Sequence, residues 1–135
     1  MINIYPKVFT TIHTGVGSAA KVSNVEQFIS DEFPYVTVEE ISNDTYVDSQ
    51  DEQLAEHHAK VIYAINVYSN VSDTEARSIM ATVDSLMQNM KFTRTRMQPT
   101  PNVDHTIHRY TATYEAVVAQ PVTSGNDTIY QMYRR

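Results

Sequence analysis

The stretch HTIHRY, residues 105–110, sets two histidines three apart and follows them with an arginine and a tyrosine. On a helix that spacing puts both imidazoles on one face, where they could share a metal ion. A second candidate lies upstream: His57 and His58 follow Glu56 and stand near Asp51 and Glu52 in the chain. Carboxylate and imidazole together suit a borderline ion such as zinc. GVGSAA at 15–20 begins like a glycine loop that cradles phosphate. Each possibility depends on the backbone that positions the residues.

The run TIHRYTATYEAVV is rich in β-branched and aromatic residues, and it alternates Tyr110, Ala112, Tyr114, Ala116 and Val118 against Arg109, Thr111, Thr113 and Glu115. That is a strand, and on a strand His105 and His108 point to opposite faces and cannot bind one ion. His105 and Arg109 then remain available to a neighbouring subunit, while His108 and Tyr110 begin the packed face. The adjacent His57 and His58 also diverge, as do the carboxylate pairs Glu39–Glu40 and Asp51–Glu52, so paired acid–base work is not expected. GVGSAA lacks the later glycine, the lysine and the preceding strand of a phosphate loop, and reads as a hinge. No serine sits in a nucleophile elbow, and there is no cysteine. Tyr63, Tyr110 and Tyr114 fall on core-facing positions, where aromatics fill space, and Met80, Met87 and Met90 share a helix face. The expectation is a protein without catalytic site, metal or cofactor.

The elements follow from hydrophobic period and caps. Ile4, Val8 and Ile12 lie on one helical face, with Pro6 tolerated in the first turn. Ser23–Glu26 fits a capping box ahead of a stripe of Val22, Val25, Phe28 and Ile29. YVTVEEI after Pro34 reads as a strand, and 42–56 as a long loop expected to be mobile. AKVIYAINVYSN, apolar at every odd position from Ala59 to Val67, is the best central strand. Ser72–Glu75 caps a helix over about residues 73–90. KFTRTRMQ and the histidine strand form a hairpin around the turn at 99–102. The sum is one α+β domain over residues 1–120, with a mostly antiparallel sheet of four or more strands, helices packed on one side, and the order α-β-β-α-β-β. Residues 121–135 are an extension, read as a short extra strand or an arm.

Charge is polarised along the chain. Ten of 16 acidic residues lie between Lys21 and Lys60 with no Lys or Arg among them, whereas six basic residues face three acidic ones from Lys91 onward. With a net charge of −6, direct gripping of DNA is not expected. The polarity suits a head-to-tail subunit contact, with Glu39, Glu40, Asp48, Asp51 and Glu52 on one side and Arg94, Arg96, Arg109, Arg134 and Arg135 on the other. The first residues, MINIYPKVF, carry no leader pattern, and no window approaches the ~18 apolar residues of a membrane span. A soluble protein made in the cytoplasm is expected.

The succession IYPKVFTTI, NVEQFISDEF, FPYVTVEEI, AKVIYAINVYSN, SDTEARSIMATVDSLMQNM, KFTRTRM and HRYTATYEAVV, spanning residues 2–119, resembles the tail terminator or tail completion proteins of long-tailed bacteriophages and the related minor capsid and head–tail joining proteins. The resemblance implies a structural virion protein of the tail or neck. It would form a homohexameric ring that stops tail tube polymerisation and joins the head-completion protein, with DNA passing through the channel without specific binding. Two other classes stand beside it: a small metal-dependent enzyme using His57, His58 and nearby acids, and a monomeric binding module whose acidic loop recognises a basic partner.

Overall fold

The computed structural model describes residues 2–23, 33–45, 58–101, 106–124 and 127–133. The chain begins with α1 (Tyr5–Val16), whose Val8, Ile12 and Val16 are buried at steps of four. Pro6 sits in its first turn, where an N–H would have no helical partner. The glycines act differently from the expected hinge. Gly15 lies inside the helix, and a Cβ there would stand 2.5 Å from a methyl of Leu86 on the second helix, so its bare backbone permits a close helix–helix approach. Gly17 is where α1 stops, at a φ of 61° that favours glycine.

A 3₁₀ turn (Gly17–Ala19) leads into β1 (Lys21–Ser23), which pairs in parallel with β2 (Tyr35–Thr45). Val22 and Ser23, expected to flank and cap a helix, are strand residues through this pairing; the body of that expected helix, 24–32, lies outside the described residues. β2 also runs further than its sequence suggests. The polar Ser42–Thr45 continue the strand opposite Ile62 to Ala59, past a bulge at Ile41, so the expected loop cannot begin at 42. Residues 46–56 of that loop are outside the described set.

β3 (His58–Ser69) is the central strand, between β2 and β5 (His108–Ser124). Ala59, Val61, Tyr63, Ile65 and Val67 are all fully buried, as their parity requires. α2 (Asp73–Asn89) opens with Ser72 as its cap, whose hydroxyl accepts the Glu75 N–H at 3.1 Å. The second half of the expected capping box is absent: the Glu75 carboxylate instead accepts from the Ser69 hydroxyl at 2.8 Å, tying the helix start to the end of β3. β4 (Thr93–Thr100) forms the hairpin with β5, and β6 (Asp127–Tyr133) pairs antiparallel to β5 along 117–124.

The class is thus α+β; among the described residues the sheet is mixed and six-stranded, with the β1–β2 pair parallel and the other pairs antiparallel. The path order is β1-β2-β3-β5-β4, with β6 added to β5. One core joins Val8, Ile12 and Val16 of α1, Ala76, Met80, Val83 and Met87 of α2, and the inward residues of β2, β3 and β5, so both helices cover the same sheet face. Thr37, Asn66, Arg109, Thr111 and Thr113 belong to the other face, where cross-strand partners share a side.

Candidate interaction edges

β2, next to one end of the sheet, and β4, at the other end, carry opposite charge. Near one end, β2 bears Glu39 on the face away from the helices and Glu40 on the helix face, an inversion dictated by the buried Val36 and Val38. Glu40 is built into the domain: it accepts from the Tyr63 hydroxyl at 2.9 Å and from Asn43 Nδ2 at 3.4 Å. Burial first, and the negative Glu40 beside it second, push the Tyr63 hydroxyl well above the usual phenol range, so it remains a donor at any working pH.

The far end is β4, with Arg94 and Arg96. A bulge between these two residues breaks the alternation. Arg94 pairs with Tyr114 on the helix face, whereas Arg96 pairs with Thr113 on the opposite face. Arg94 Nη1 lies 3.2 Å from Asp84 of α2, and the same carboxylate accepts from the Tyr114 hydroxyl at 2.8 Å. Burial and that hydrogen bond hold the Tyr114 hydroxyl protonated far up the pH scale. Arg96 is exposed and donates to Gln98 at 3.1 Å.

Arg109, expected at a subunit contact, is tied into the sheet of its own copy. It lies on β5, between β3 and β4, half-buried, with Nε donating to Asn66 Oδ1 at 3.0 Å and its guanidinium over the Tyr68 ring. Asn66 also accepts from Thr111, which in turn accepts from Thr100, making a part-buried polar network across three strands. Nothing in the local sequence marked Asn66 or Asp84, since their roles come from partners 43 and 10 residues away.

Asp48, Asp51, Glu52, Arg134 and Arg135 lie outside the described residues, as do His57 and His105. His58 starts β3 opposite Ala119, and His108 starts β5 opposite Ser69, at the two ends of the same strand pair. Among the described residues no three His, Asp or Glu side chains come together to hold a metal ion. Nor is any described helix long and apolar enough to cross a membrane.

What the sheet brings together is therefore a relation between edges. Glu39 pairs with Ala64, Ala64 with Thr113, and Thr113 with Arg96, so acid and base occupy one cross-strand row at opposite ends. Three strand spacings separate them by roughly 14 Å, too far for a contact within one chain. Compared with known proteins, the chain matches no family model and no curated protein.

Proposed function

We propose that this chain is a structural component of a long-tailed phage particle, forming a closed ring at the head-proximal end of the tail. The ring ends tail tube polymerisation and joins the tail to the head-completion protein. The observation that carries the reading is the sheet with an acidic strand near one end and an arginine-bearing edge at the other. Such a surface complements its own copy only in a head-to-tail sense, and a heterologous contact of that kind closes into a ring when its rotation allows. The succession of elements that resembles tail terminators supplies the biological setting. The net charge of −6 suits a channel through which DNA slides without sticking.

Mass photometry and negative-stain imaging of the full chain, alone and with tail tube protein, test this. Rings of uniform size, and tubes that stop growing when the chain is added, are the expected result. Monomers under every condition would remove the proposal.

A further inference from the structure

Beside the β4 edge, α2 and the sheet enclose an open groove of about 350 Å³, lined by Arg77, Ala81, Asp84, Ser85, Arg94, Met97 and Tyr110. Arg77 did not figure among the interface residues expected from sequence. Its Nε donates to Asp73 at 2.6 Å, and its guanidinium lies 5.2 Å from the Tyr110 ring centre. Arg94 stands across the groove, held through Nη1 by Asp84 and the Met97 sulfur. The two side chains are 56% and 44% exposed. Each guanidinium carries five N–H donors and is fixed through one nitrogen, so each presents an oriented fork to the groove. Asp84 and Asp73 each take one nitrogen of a fork, and Asp84 is further engaged by Tyr114 and Gln88, which leaves the remaining N–H donors of Arg94 and Arg77 for another acceptor. Two positioned forks over a floor of small and apolar side chains fit a chain segment bearing carboxylates.

We propose that this groove receives the acidic segment 44–56 of a second copy, through Asp48, Asp51, Glu52 and Glu56; the inference rests on the head-to-tail reading above. Charge complementarity selects that occupant over DNA, since the chain is acidic overall and carries a base-free acidic run.

The test uses the full chain with Asp48→Asn, Asp51→Asn, Glu52→Gln and Glu56→Gln, which leaves the groove without its occupant. This variant is expected to assemble at least about tenfold more weakly, and to bind a labelled 44–56 peptide in trans. The same peptide with those four acids amidated should bind about tenfold more weakly. Adding Arg77→Ala, at an exposed helix position that folding does not need, should abolish peptide binding, whereas Arg96→Ala should not. Assembly of the amidated chain like wild type, equal binding of the two peptides, or indifference to Arg77→Ala would each overturn the inference. So would duplex DNA binding that requires Arg77, which would assign the groove to phosphate. Absence of wild-type rings alongside Arg77-dependent peptide binding would sink only the ring reading; wild-type rings indifferent to these changes would sink only the groove.

Discussion

Glu39 and Arg96 occupy the two ends of one row across the sheet, on the same face and separated by Ala64 and Thr113. In the proposed head-to-tail assembly, the row of one copy would continue into the row of the next and set the acid of one strand against the arginine of another. The relation makes the contact directional, since two acidic or two basic edges repel.

Charge reversal at this row tests the direction. Arg96→Glu is expected to weaken self-association by about tenfold and Glu39→Lys by a similar factor, with the double variant recovering most of the loss. Sedimentation velocity at low salt reads the effect, and it should fade near ~1 M salt, where screening acts within about 3 Å. Additive losses in the double variant would dissolve the pairing.

Arg94 is a less clean probe than Arg96, for a reason visible only in the fold. Arg94→Glu removes the ion pair to Asp84 and sets two carboxylates side by side beneath Tyr114. A loss of about 1–2 kcal/mol in folding stability is expected, against less than about 0.5 kcal/mol for Arg96→Glu. Urea denaturation of both variants separates folding from assembly.

The buried phenols impose an alkaline limit. Tyr63 and Tyr114 have folded pKa values raised above the ordinary phenol value of 10.0. Above that pH the unfolded chain loses protons that the native chain keeps, so their contribution is complete below about pH 10 and declines as pH rises further. The urea midpoint should therefore fall between about pH 10 and 12, more steeply than in the Tyr63→Phe, Tyr114→Phe double variant. Parallel slopes would contradict this.

On the face away from the helices, two neighbours in register predict opposite outcomes. Asn66 is 1% exposed and accepts from Arg109 and Thr111; Asn66→Leu removes the acceptor that both donors share and should cost about 1–2 kcal/mol. Thr37, opposite it, is fully buried with a hydroxyl that has no partner among the described residues. Thr37→Val keeps the shape and should raise stability by about 1 kcal/mol. Thermal and urea unfolding of each variant gives the sign directly.

Several features were legible before any tertiary contact was known. The unbroken odd-position pattern of β3 and the capped, amphipathic run of α2 follow from local period, and the separation of charge along the chain is a property of composition. What depended on register was not legible. Val22 and Ser23 sit in a parallel strand because β2 pairs with them, and the polar Ser42–Thr45 extend β2 because β3 does. The bulge at Thr95 sends Arg94 to the helix face and Arg96 to the other, although both have the same parity in the sequence. Arg109, expected at a subunit contact, is drawn onto Asn66. The sequence by itself determined which segments could bury a face and where charge accumulates, because both are local sums over neighbouring residues. Only the tertiary structure decided which acid lies level with which arginine, because alignment across strands is set by partners distant in the chain, and a single inserted residue reverses it.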